Sequence, residues 1–186
     1  VLPAGAMKVL LDACVLYPTV LREILLCVAG QGLYTPLWSE RILEEWARAA
    51  RKIGPTGEAQ ARGEIALLRA NWPKASVPPH EGLEARLWLP DPADVHVLAA
   101  AIAGSADLVL TFNAGDFPRR TLDEEGLRRD APDHFLLELW REAPEAVEGC
   151  VAQVHAVACR MSGEEMDLRK LLKRARLPRL GKALTA

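Results

Sequence analysis

The sequence predicts an α/β fold built on a mostly parallel sheet, and three observations carry that expectation. Two short, nearly unbroken apolar runs, Lys8-Val-Leu-Leu-Asp-Ala13 and Asp107-Leu-Val-Leu-Thr111, have the length of strands buried on both faces. Around them stand segments whose apolar residues recur at helical spacing. Strands that alternate with helices form parallel sheets, because each parallel connection needs a crossover.

The first strand is expected to end at Asp12. Pro18 opens a helix with Leu21, Ile24, Leu25 and Val28 on one face, and Gly30 and Gly32 stop it. Leu33-Tyr-Thr35 is the second candidate strand. Ser39 suits the N-cap of a helix running to about Lys52, since its hydroxyl can accept from an unpaired backbone N–H. Gly54-Pro55 breaks the chain, and a further helix spans Glu58 to Asn71. Pro73, Pro78 and Pro79 mark a loop with room for a short strand. Asp91-Pro-Ala-Asp94 starts the next helix, with Asp91 at the N-cap and Pro92 at the first helical position, and it runs to about Ala103. Asn113 to Pro118 is a loop. From Pro132 onward the pattern is helical, broken at Pro144, near Ser162-Gly163 and at Pro178. No internal repeat or low-complexity segment is visible.

The 186 residues, half of them hydrophobic and 26 % charged, suit one domain with a small appendage. No apolar run approaches the ~20 residues of a membrane helix; the stretch from Val20 to Gly30 is short and carries Arg22 and Glu23. Val1 to Ala6 precede Met7 and read as an upstream extension, a cloning scar or a different start, outside the fold reading. The start of the chain lacks the charged head and apolar stretch of a secretory signal, so a cytoplasmic protein is expected. Cys14, Cys27, Cys150 and Cys159 form no CxxC pair and have no histidine at zinc spacing, and four reduced thiols are expected. A net charge of −2 argues against strong nonspecific binding to nucleic acid. Its distribution is uneven. From Arg160 onward eight basic residues face only Glu164, Glu165 and Asp167.

In open parallel sheets, ligands bind outside the carboxyl ends of the strands, which turns the positions of the acids into evidence. Asp12 closes the first strand, and Asp116 follows the strand ending at Thr111 by five residues, so both fall at one edge. Thr111 and Asn113 can turn polar groups into the same region. Asp94 shares a helix face with Val97, Leu98 and Ala101, the core-facing side. Asp91 has a capping role available and is at most a supporting residue. Glu45 borders the apolar stripe of Ile42, Trp46 and Ala49, whereas Glu44 lies opposite and should be solvated. A carboxylate beside a buried face needs a partner, either a metal ion or Arg/Lys. Acids converging on one edge need a compensating cation, and all-oxygen donors select Mg²⁺ or Mn²⁺. Such a site suits in-line hydrolysis of a phosphodiester, with a carboxylate taking the proton of the attacking water.

Taken together, these residues resemble the PIN-domain family over roughly residues 7 to 135. Lys8-Val-Leu-Leu-Asp12-Ala-Cys-Val-Leu-Tyr-Pro18 looks like the family's opening strand and first acid. Ser39 to Glu45 looks like the helix with the second, Asp91 to Ala101 like the segment whose acid is Asp94, and Leu108 to Pro118 like the closing motif with Asp116. Cys14 stands where many members have Thr, Ser or Asn. The resemblance implies a three-layer α/β/α nuclease domain over 7–130, followed by a C-terminal helical extension over 131–186. It implies metal-dependent RNA cleavage by Asp12, Glu45, Asp94 and Asp116, with Asp12, Asp94 and Asp116 on the metal. It also implies a VapC-type toxin, homodimeric and silenced by a cognate antitoxin. The helix around Leu168, Leu171 and Leu172 looks like the tail of larger VapC-like proteins, and its Arg169, Lys170, Lys173 and Arg174 are candidate RNA contacts.

Two other readings compete. A haloacid-dehalogenase-like phosphatase also places an Asp after its first strand, but it usually has an acid or Thr two residues later, where Cys14 stands here. A non-catalytic PIN-fold module binding RNA or protein would be marked by loss of acids, and all four are present. The five tryptophans read as core or half-buried anchors, and no chemistry is assigned to His80, His96, His134 or His155.

Overall fold

In the computed structural model, which describes residues 7–186, four strands pair in parallel in the order β2-β1-β3-β4. They are β1 (Lys8–Leu11), β2 (Thr35–Leu37), β3 (Leu108–Leu110) and β4 (Arg128–Asp130). The upstream extension expected at residues 1–6 lies outside the described residues. Val9, Leu10 and Leu11 of β1 and all of β3 are buried, so both faces of the central pair are covered. That is why these two runs read as unbroken apolar sequence.

The second strand starts at the residue where the sequence placed its end, and Pro36 sits inside it. Proline is tolerated because β2 is the edge strand of the described sheet, where Pro36 stands opposite Val9 of β1 and an N–H turned away from that partner is not missed. Beyond the strand, Trp38 bridges Ser76, which answers the short strand expected among the prolines. β4 and the helix before it were not foreseen. Arg128-Arg129-Asp130 is an edge strand without an apolar residue, so it gives no hydrophobic signal.

The helices are α1 (Ala13–Leu16), α2 (Thr19–Gly30), α3 (Glu40–Ala49), α4 (Gly57–Asn71), α5 (Glu81–Arg86), α6 (Val95–Ala103), α7 (Arg119–Glu124), α8 (Pro132–Glu142), α9 (Pro144–Ser162), α10 (Leu168–Arg174) and α11 (Pro178–Leu184). Short 3-10 turns at Ala50–Ile53, Pro92–Asp94 and Ala114–Asp116 follow α3, lead into α6 and precede α7. The expected caps are present: the Ser39 hydroxyl accepts from Ile42 N at 3.2 Å, and the Asp91 carboxylate from Ala93 N at 2.9 Å.

The chain leaves β1 for β2 on one side and returns past β1 to β3 on the other. α2 packs against β2, and α6 packs against β1 and β3. In sheets with such a reversal, the carboxyl ends of the strands beside it, here β1 and β3, are the place where ligands bind.

The C-terminal helices join the same buried cluster, which runs from Val9 in β1 through Leu136, Val147 and Leu172 to Leu180. The Asp133 carboxylate in α8 accepts from Arg179 N and Leu180 N, both at 3.0 Å, which fastens the start of α11. One expectation is corrected here. Cys27 of α2 and Cys150 of α9 form a disulfide with Cα atoms 5.6 Å apart, so only Cys14 and Cys159 are free. The partners are 123 residues apart, and spacing in the sequence carries no sign of a contact made by helix packing. Among the described residues, no helix is long and apolar enough to cross a membrane.

Candidate active site

Asp12 directly follows β1 and caps α1, its carboxylate accepting from Ala13 N at 2.8 Å. The residue is only 7 % exposed, and it receives two further bonds, from the Thr111 hydroxyl at 2.8 Å and the Cys14 thiol at 3.4 Å. Cys14 also accepts from Phe112 N at 3.4 Å, and Thr111 Oγ1 accepts from Asn113 N at 3.0 Å. The thiol thus makes the side-chain bond that a hydroxyl or amide would make at this position. Burial, helped by the Asp12 charge, pushes the Cys14 thiol up to about 11, so it remains a protonated donor. These bonds stitch the carboxyl ends of β1 and β3 together. Burial raises the Asp12 carboxyl too, and the charge of Glu45 raises it further.

Asp94 heads α6 and is half-buried, while Val97, Leu98 and Ala101 on its face are fully buried. Its carboxyl is pushed up to about 6, first by burial and then by the charges of Asp116, Asp91, Asp12 and Glu45. Carboxylates from β1, α3, the start of α6 and the turn after β3 therefore act on one group. Among the described residues, no lysine or arginine forms an ion pair with Asp12, Asp94 or Asp116.

Glu45 has a partner that the sequence reading missed. His96 of α6 is buried, and its Nε2 lies 2.5 Å from Glu45 Oε1. The signal was there: His96 is the one polar residue in the apolar segment Val95–Ala103, two positions after a candidate acid. Its Nδ1 is buried without a hydrogen-bond partner among the described residues. Glu44 faces away and is held by Arg48 and Arg62. Asp91 serves as the cap expected of it, and Asn113 is exposed beside Thr111. Trp88, expected as an anchor, is 68 % exposed, because Leu89 next to it fills the core instead.

The donor set is all oxygen, uncompensated and partly desolvated, which fits a hard divalent cation. As placed, no three His, Cys, Asp or Glu side chains among the described residues stand close enough to hold an ion together. The acids are near enough to raise the proton affinity of Asp94 and, from Glu45, that of Asp12, but among the described residues they do not form a closed coordination shell.

Fold and edge together define an α/β protein with acidic residues at the switch point of a parallel sheet. A family model described as a PIN domain matches residues 8–115, more than half of the chain, and the chain belongs to that family. The match spans Asp12, Glu45 and Asp94 and stops one residue before Asp116. PIN domains are generally nucleases and typically use divalent metals. No curated protein and no solved structure matches the chain.

Proposed function

We propose that this protein is a metal-dependent endoribonuclease that hydrolyses RNA phosphodiester bonds. The observation that supports this most is the joint action of Asp116, Asp91, Asp12 and Glu45 on Asp94 at the carboxyl edge of the sheet. Asp12, Asp94 and Asp116 would hold Mg²⁺ or Mn²⁺, which when bound supplies charge neutralisation and activation of water. Thr111 and Cys14 orient Asp12 through its bonds to them, and Asn113 N orients Thr111. His96 fixes one oxygen of Glu45, leaving the other to accept a proton from the attacking water.

The rest of the reading follows from the family likeness. We take the chain as the toxin of a toxin–antitoxin pair, a homodimer restrained by an antitoxin, working in the cytoplasm. The Cys27–Cys150 bond is the counter-indication to that compartment, since disulfides are rare there. A non-catalytic RNA- or protein-binding module is the alternative, and the absence of a closed ion shell is the observation on its side. Labelled single-stranded and structured RNAs, incubated with Mn²⁺ or with EDTA, distinguish the two. Cutting that needs Mn²⁺ is expected of the nuclease, and metal-independent binding without cutting would favour the module.

A further inference from the structure

Arg176 lies just after α10 with a positive φ of 62°, in the left-handed region. A helix commonly ends with a residue in that conformation, and it is usually glycine, because a side chain there is strained. The local bonds are those of such an ending: Arg176 N donates to Lys173 O at 3.0 Å and Leu177 N to Leu172 O at 2.8 Å, with Leu177 fully buried. Glycine would satisfy this turn at lower cost. An arginine held there points to a use for its side chain.

The side chain crosses to the nuclease edge. Its guanidinium carbon stands 3.7 Å from the centre of the Phe112 ring. Phe112 directly follows Thr111, whose hydroxyl donates to Asp12, and its own N–H donates to Cys14. The stretch after α10 thus places a cation on the residue next to Thr111, the hydrogen-bond donor to Asp12. It is not there to neutralise the acids, since Arg176 forms no ion pair among the described residues. Arg169, Lys170, Lys173, Arg174 and Arg179, close to it in sequence, are exposed and also form no ion pair among the described residues, whereas every arginine of the family-matched region is in one. A stacked guanidinium keeps the N–H donors around its rim free, in a geometry that suits phosphate.

We propose that Arg176 is a substrate-positioning residue, binding an RNA backbone phosphate beside the scissile one and aligning the strand that the cationic tail attracts with the acidic edge. This rests on the nuclease reading above. The test uses the full chain, its Arg176→Gln, Arg176→Lys and Arg176→Gly variants, and a fluorescein-labelled single-stranded RNA of mixed sequence. Without divalent metal, anisotropy should show Arg176→Gln binding about tenfold more weakly. Its dependence of log K on log salt should be shallower by about 0.7, the loss of one phosphate contact on a single strand. With Mn²⁺, KM should rise and kcat change little, and Arg176→Lys should recover part of the affinity.

Arg176→Gly separates this from a folding role. It relieves the backbone, so it should melt no lower than wild type and still lose binding. Variants that bind and cut like wild type, while wild type cuts, would overturn the assignment of Arg176 alone. A wild type that neither binds nor cuts RNA with Mn²⁺ would overturn the nuclease reading and this inference with it.

Discussion

On the α3–α4 face, Glu44 is held by Arg48 and Arg62, and Glu58 by Arg51 and Arg62. Those guanidinium groups hold both carboxyls down at about 2. At the carboxyl edge of the sheet the same residue types are treated in the opposite way. Asp94 is pushed up to about 6 by burial and then by the charges of Asp116, Asp91, Asp12 and Glu45, and Asp12 is raised by burial. The chain therefore does not lack cations; it places them where carboxylates serve the fold. Acids kept together without one raise the energy of the folded state and call for a cation from outside. The contrast separates a structural carboxylate network from a candidate site inside one domain.

Neutralising one acid from each group should give the largest effect. Asp94→Asn is expected to lower Mn²⁺-dependent RNA cleavage by more than about a hundredfold, since changes merely adjacent to metal ligands already cost 10–100-fold. Asp12→Asn and Asp116→Asn should do the same, and Glu44→Gln should cut like wild type. Initial rates, with circular dichroism to confirm folding, check this. Equal losses on both faces would erase the distinction.

The C-terminal helices bear on the contrast only if they stay packed on the common core. Cys27→Ser opens a link between residues 123 apart and should destabilise the oxidised protein by about 2–5 kcal/mol, with no difference from wild type in reductant. Urea unfolding with and without reductant measures it.

A smaller effect concerns pH. Asp94 has its folded pKa raised from 3.8 to about 6, so its ionisation costs the fold stability, a penalty absent below 3.8 and complete above about 6. In EDTA, Asp94→Asn should melt above wild type at neutral pH, and the gap should close as pH falls towards 4. Glu44 has the opposite sign. Its carboxyl is lowered from 4.5 to about 2, so its stabilisation is present above 4.5 and is lost as pH falls towards 2. Being exposed, it should contribute little. Melting curves across this range should show slopes of opposite sign for the two substitutions.

Much of this was legible from local chemistry. β1 and β3 announced themselves because strands covered on both faces must be continuously apolar, and Ser39 and Asp91-Pro92 because helix starts need particular caps. The edge of the sheet followed from strand direction, and with it the region of Asp12 and Asp116. What stayed hidden was either weakly apolar or distant in sequence. β4 is held by backbone bonds to β3, and its Arg129 side chain reaches the carbonyls of Ala114 and Phe117, none of which leaves a pattern in the sequence. α1 is one turn, too short for periodicity. The Glu45–His96 contact joins α3 to α6 across 51 positions, and Cys27–Cys150 joins α2 to α9. Such pairs become visible only when packing brings the helices together.

The central claim is that the carboxyl edge is built for a cation that the chain itself does not supply. Calorimetric titration of Mn²⁺ into metal-free protein at neutral pH, with wild type beside Asp94→Asn and Glu44→Gln, tests it most directly. Wild type and Glu44→Gln should bind saturably, and Asp94→Asn should lose the binding. No binding to wild type, or undiminished binding to Asp94→Asn, would contradict it.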